Sequence, residues 1–166
     1  MFHSSIIALA QTVNHTLIAR RQMIVTAESC TGGLIAGALT DVPGSSEAVF
    51  GGYVTYANEA KAGMIGVDRD LIRTHGAVSE QVARAMAEGA RKTSGASAAI
   101  AVTGIAGPGG GTEGKPVGLV HFAYADAGKT IHLELQFGDA GRQVVREETV
   151  KVALGLVLDG LGVPRP

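Results

Sequence analysis

The chain has 166 residues, 46% of them hydrophobic and 17% charged, with a formal net charge of −1. That length suits one domain that buries a core without help from disulfides or metals. The near-neutral balance, 4% aromatic content, absence of Trp and single cysteine (Cys30) argue against a non-specific nucleic-acid binder, a base-stacking platform, a disulfide scaffold and a cysteine zinc cluster.

Residues 3–19 predict an amphipathic helix, because Ile6, Ala10, Val13 and Leu17 recur at helical spacing. The segment carries polar Gln11, Asn14 and His15 and ends in Arg20-Arg21, which does not resemble a secretory signal. No apolar run approaches the ~18 residues of a membrane span, so a cytoplasmic setting is expected. Met23 to Ala27 reads as a strand, then Glu28 to Gly33 as a turn, then Leu34 to Thr40 as a helix. Asp41 to Ser46 is a turn cluster, and Phe50 to Tyr56 is a strand. Asn58 is placed to cap a short helix through Lys61 to Met64, and Asp68 to Thr74 adds one or two helical turns. Ser79 caps a helix whose buried stripe is Val82, Met86 and Ala90 and which ends by Gly95. Ala98 to Val102 is a continuous apolar run, as in a central strand covered on both faces. Val117 to Tyr124 and Thr130 to Phe137 are strands joined through Asp126-Ala127-Gly128. The second alternates Ile131, Leu133, Leu135 and Phe137 with polar residues, which predicts an edge strand with one wet face. Gln143 to Leu158 closes the chain as a helix. Helices alternating with strands and then a hairpin predict an α/β fold, a three-layer α/β/α sandwich with a mixed sheet. No repeat or linker divides residues 1–166, which read as a single domain.

Glycine is the compositional anomaly: the chain has 24, about twice the roughly 7% of average proteins. Six fall between Gly32 and Gly52 and seven between Gly104 and Gly118, more than half of the total. The first cluster follows Ser29. A strand, a Gly-Gly turn and a helix start would let Ser29 attack a carbonyl while the N–H groups of Cys30 to Gly33 hold the developing charge. Alternatively, Ser29 and Thr31 are simple helix caps. None of the five histidines lies in a catalytic or metal-binding motif. Lys61, set among small residues, is the candidate base if burial lowers its pKa, with Tyr56 able to orient a proton beside it; the alternative is an ordinary solvated helix lysine. The second cluster follows the central strand, where open α/β sheets bind ligands. It contains neither a Walker loop nor a dinucleotide fingerprint leading into a helix. Arg142 and Arg146, near the start of the last helix, oppose its dipole unless a phosphate or carboxylate partners them; the alternative is that both simply face solvent.

Five ordered segments carry a resemblance: Ala27-Glu28-Ser29-Cys30-Thr31-Gly32-Gly33, Gly52 to Lys61, Gly76-Ala77-Val78-Ser79-Glu80, Thr103-Gly104-Ile105-Ala106-Gly107-Pro108, and Lys115-Pro116-Val117-Gly118. Together they are similar to the CinA C-terminal domain family, also called nicotinamide-nucleotide amidohydrolase. The resemblance implies a mixed five-stranded sheet and a Ser/Lys amidohydrolase that needs no metal or cofactor. It implies hydrolysis of the carboxamide of nicotinamide mononucleotide to nicotinic acid mononucleotide and ammonia, a step in pyridine nucleotide salvage. By the same resemblance Ser29 is the nucleophile, Lys61 its base and Tyr56 a supporting proton-handling residue. Cys30, Thr31, Gly32, Gly33, Thr103, Gly104, Gly107 and Arg142 would approach the substrate. Arg142 follows Gly138-Asp139-Ala140-Gly141, a longer spacing than the family's Gly-Asp-Arg. Many relatives carry a further N-terminal domain, whereas this sequence starts directly at the amidohydrolase part, so a stand-alone form is expected. The expected partner is a small-molecule nucleotide, with no nucleic acid and no membrane; a homo-oligomer is left open. The competing reading is a non-catalytic nucleotide-binding module linked to competence or DNA damage.

Overall fold

In the computed structural model, which describes residues 2–166, the apolar-periodic segments become six helices around one sheet. In chain order they are α1 (Ser4–Ala19), β1 (Ile24–Glu28), α2 (Leu34–Thr40), a 3-10 turn (Ser45–Glu47) and β2 (Val49–Val54). Then come α3 (Asn58–Ile65), α4 (Arg69–His75), α5 (Glu80–Ser94), β3 (Ala98–Gly104), β4 (Leu119–Ala125), β5 (Thr130–Gln136) and α6 (Arg142–Leu161). The five strands lie in the order β2-β1-β3-β4-β5. The first three are parallel, and β4 and β5 run antiparallel. The mixed five-stranded α/β sheet is therefore the one expected, with β3 at its centre and β5 at an edge.

Alternation along the strands sorts the core into two layers. Ile100, Val102, Val120, Phe122 and Tyr124 face α1, α2 and α6. Ala99, Ala101, Ala123 and Ala125 face α5, which meets them with Val82, Met86 and Ala90. The alanine face lets α5 lie close to the sheet, whereas the opposite face is filled by large side chains. Fully buried Phe122 belongs to that second kind, where truncation to Ala typically costs about 3–5 kcal/mol.

Helix α3 packs on α5 rather than on the sheet centre. Gly89 permits this, because a Cβ there would collide with the Ile65 carbonyl at the end of α3. Ser79 caps α5 by accepting from the Val82 N–H at 3.3 Å, as its sequence position suggests. Asn58 does not cap α3; the capping position is Ala57, and no side chain caps that helix.

The polar face of β5 is also not uniformly wet. His132 packs under α5, and its ring nitrogen lies 2.9 Å from that of His121 on β4. Arg84 of α5 donates to the Thr130 carbonyl at 2.8 Å. A helix laid over the edge strand covers half of what alternation alone marks as solvent-facing.

Candidate active site

Strand β1 ends at Glu28, and the Ser29 N–H donates to the Val102 carbonyl at 3.1 Å, which holds the next residue against β3. The chain then turns through Gly32 and Gly33, with φ of +61° and +103°. Gly33 is the capping residue of α2 and has no side chain to offer the helix start. The exposed donors are satisfied from the strand instead. Buried Glu28 accepts from the Thr31 hydroxyl at 2.6 Å and from the N–H groups of Gly33, Ile35 and Ala36 at 3.1, 3.0 and 2.8 Å. Neither Ser29 nor Thr31 is the cap. Gly33 N–H is committed to Glu28 and Gly32 N–H to the Ser29 carbonyl at 3.1 Å, so neither is free to hold an oxyanion.

Lys61 comes from α3, on the side of β1 opposite α2. Its side chain is only 1% exposed. Nζ lies 3.2 Å from Ser29 Oγ, 2.9 Å from the Thr55 carbonyl and 3.2 Å from the Tyr56 carbonyl. Burial lowers its pKa from the usual 10.5, with a small opposing effect of Cys30. A neutral amine has two N–H bonds and one lone pair. In that neutral form the two carbonyls would take the N–H bonds and leave the lone pair for the Ser29 hydroxyl, whereas the ammonium donates to all three oxygens. This geometry suits a base acting on serine.

Tyr56 contributes to that cradle through its carbonyl. The residue is 58% exposed, and its hydroxyl accepts from Arg142 at 3.1 Å rather than meeting Ser29 or Lys61. Arg142, the first residue of α6, also donates to the Gly107 carbonyl at 3.0 Å, tying the second glycine-rich loop to the end of β2. Thr103 is buried and donates to the Ala77 carbonyl at 2.8 Å, which joins the end of β3 to the segment before α5. Gly104 packs on β4, where a Cβ would lie 2.8 Å from the Leu119 carbonyl. Cys30 is buried, and burial pushes its thiol up to about 12, so it is no thiolate at neutral pH.

Two residues act at this site in ways that the sequence alone did not indicate. Glu28 is one. Arg146 is the other: it donates through Nε to the Cys30 carbonyl at 3.2 Å and through Nη2 to the Thr31 carbonyl at 3.0 Å. The acceptors that offset its place near the start of α6 are thus backbone oxygens of the serine turn. A cleft of about 790 Å³ opens on the outer side of that turn, lined by Leu34, Arg142, Gln143 and Arg146 but not by Ser29 or Lys61. Among the described residues, no group of three or more His, Cys, Asp or Glu side chains is placed to hold a metal ion.

Fold and site together define a class of α/β sandwich that carries a serine turn and a buried lysine at the carboxyl ends of parallel strands. The CinA C-terminal domain matches residues 6–161, and the chain belongs to that family. It is 48% identical over 151 residues to a CinA-like protein of Synechococcus sp. (strain RCC307), covering 90% of this chain and 36% of that protein. It is 54% identical over 142 residues to a CinA-like protein of Mycobacterium marinum, covering 85% and 33%. The chain thus spans about a third of the length of these curated relatives. The crystal structure of the competence/damage inducible protein CihA from Agrobacterium tumefaciens superposes with a TM-score of 0.94 at 49% identity, covering 96% of this chain and 97% of that one. A competence-damaged protein (CinA) superfamily protein from Klebsiella pneumoniae superposes at 0.90 with 34% identity, covering 95% and 98%.

Proposed function

We propose that the domain hydrolyses the carboxamide of nicotinamide mononucleotide to nicotinic acid mononucleotide and ammonia. One observation carries this reading: a buried lysine whose Nζ is 3.2 Å from Ser29 Oγ and whose other polar neighbours are carbonyls. In the first half-reaction Ser29 Oγ bonds to the carboxamide carbon as its proton passes to Lys61. The proton then moves from Lys61 to the leaving nitrogen, the C–N bond breaks, and ammonia departs. In the second half-reaction Lys61 takes a proton from water, which attacks the Ser29 ester. Nicotinic acid mononucleotide is released, and the proton returns to Ser29 Oγ. Tyr56, Arg142 and the Gly107 loop form the wall beside the pair. The chemistry needs no cofactor, and a cytoplasmic place in pyridine nucleotide salvage follows from the substrate.

The test is ammonia release from nicotinamide mononucleotide by the purified chain. Ser29→Ala is expected to lower kcat by at least ~10³-fold. Lys61→Ala is expected to lose turnover while retaining nucleotide affinity. A non-catalytic binding module would release no ammonia, and the same substitutions would change affinity alone.

A further inference from the structure

We infer that Glu28 and Arg146 are a pair of positioning residues that clamp the Ser29–Gly33 turn from opposite sides of polarity and leave the Cys30 and Thr31 N–H groups as the two oxyanion donors. The inference rests on the acyl transfer at Ser29 proposed above. It follows from accounting for each polar backbone group of the turn. Ser29 N–H goes to the Val102 carbonyl, Gly32 N–H to the Ser29 carbonyl and Leu34 N–H to the Thr31 carbonyl. Gly33, Ile35 and Ala36 N–H all go to the Glu28 carboxylate. Among the described residues, Cys30 and Thr31 N–H are the donors of this stretch that meet no acceptor on another residue. They are also the two amides that directly follow the nucleophile.

Peptide planarity turns this remainder into an aimed pair. A trans peptide points its C=O and N–H in opposite directions. The Cys30 carbonyl and the Thr31 N–H belong to one such plane. By holding that carbonyl at 3.2 Å, Arg146 fixes the direction of the Thr31 N–H. The Ser29 carbonyl and the Cys30 N–H share the preceding plane, and the Gly32 N–H holds that one. Glu28 takes up the donors at the start of α2, which would otherwise compete for the same anion. It also holds the Thr31 hydroxyl at 2.6 Å, which keeps the turn from swinging outward. The outcome is a serine turn that presents two oriented amides instead of a loosely positive helix end.

The test uses the full chain, with ammonia release from nicotinamide mononucleotide and thermal melting measured in parallel. Arg146→Ala is expected to lower kcat by ~10²-fold while KM changes less than ~3-fold, the pattern of a lost transition-state contact. The melting transition remains cooperative, and the ascending limb of the pH profile stays where Lys61 sets it. Millimolar guanidinium added to Arg146→Ala is expected to restore part of kcat, since a free guanidinium can bridge the two carbonyls. If Arg146→Ala does not fold, Arg146→Lys serves in its place, because one ammonium cannot hold both carbonyls and kcat should again fall at constant KM. An active wild type with an undiminished kcat in the variant overturns the clamp, as does a loss that falls equally on KM or that guanidinium fails to relieve. A wild type that releases no ammonia overturns instead the acyl-transfer reading on which the clamp rests.

Discussion

Burial strips Lys61 of the water that stabilises its ammonium, so its amine is free at lower pH than that of an exposed lysine. The sign for catalysis is direct. On the proposed mechanism the neutral form is the base, so kcat/KM is expected to rise with pH along one limb whose midpoint lies below 10.5 and then to level off. Initial rates across the neutral and alkaline range measure this, and a flat profile would remove Lys61 from the role of base. Cys30 supplies a second prediction. Its thiol is buried and held near 12, so iodoacetamide at neutral pH should leave activity unchanged over an hour of exposure, as expected when the nucleophile is the neighbouring serine. At this scale the strand, the Gly-Gly turn and a lysine among small residues made Ser29 and Lys61 candidates, the family resemblance paired them, and the structure sets Nζ 3.2 Å from Oγ. Glu28 was not legible. A carboxylate closing a strand reads as exposed, and only the lack of a side-chain cap on α2 shows that its amides need an acceptor. Arg146 left a fainter trace. It is four residues from Arg142, so the two share a helix face, but backbone carbonyls from a distant turn have no signature in sequence.

Among the elements, α3 determines whether the lysine reaches the serine. It rests on α5 through Gly89, where a Cβ would strike the Ile65 carbonyl. Gly89→Ala adds a better helix former, which on an exposed helix would stabilise by about 1 kcal/mol. Here it is expected to push α3 outward, with a lower melting temperature and at least a ~10-fold loss of kcat, checked by melting and ammonia-release assays together. Most elements were readable from periodicity because their apolar stripes are long: α1, α5 and β3 carry theirs where expected. The glycine-rich segment after β3 was less so. Its glycines suggested a wall closely approaching a ligand, yet several serve the protein's own packing. Gly118, at φ +89°, lies against the Gly138 backbone with no room for a Cβ. Close approach of backbone to backbone and of backbone to ligand leave the same mark in a sequence.

For the molecule as a whole, the His121–His132 pair is one contributor to acid sensitivity. The two rings stack 5.2 Å apart with nitrogens in contact, so one must donate and the other accept. Glu134 of β5, Glu80 and Arg84 of α5, and Lys115 of the long loop surround them. Burial lowers both pKa values below the usual 6.5, against the pull of the two glutamates. The unfolded chain therefore takes up protons first as pH falls. Stability from this pair is whole above 6.5 and is lost as pH drops through 6.5 toward the lowered folded values. The melting temperature of His132→Gln is expected to fall less between about pH 7 and pH 5 than that of wild type. The layered α/β architecture was legible because alternation of helices and strands is a property of the entire chain. The covered face of β5 was not, since no periodicity within one strand reports a helix folded over it.

Helix α6 is the last element in the chain, yet its first two turns bring Arg142 to the Gly107 loop and Arg146 to the serine turn. Synthesis at roughly 5–20 residues per second puts several seconds between the emergence of Lys61 and that of Arg146. During that interval the ribosome-bound chain already owns its serine and its lysine, but the turn between β1 and α2 has no brace from α6. On the acyl-transfer reading proposed above, full ammonia release is then expected only once α6 has docked against α1 and the sheet, and a chain cut before α6 should lack it.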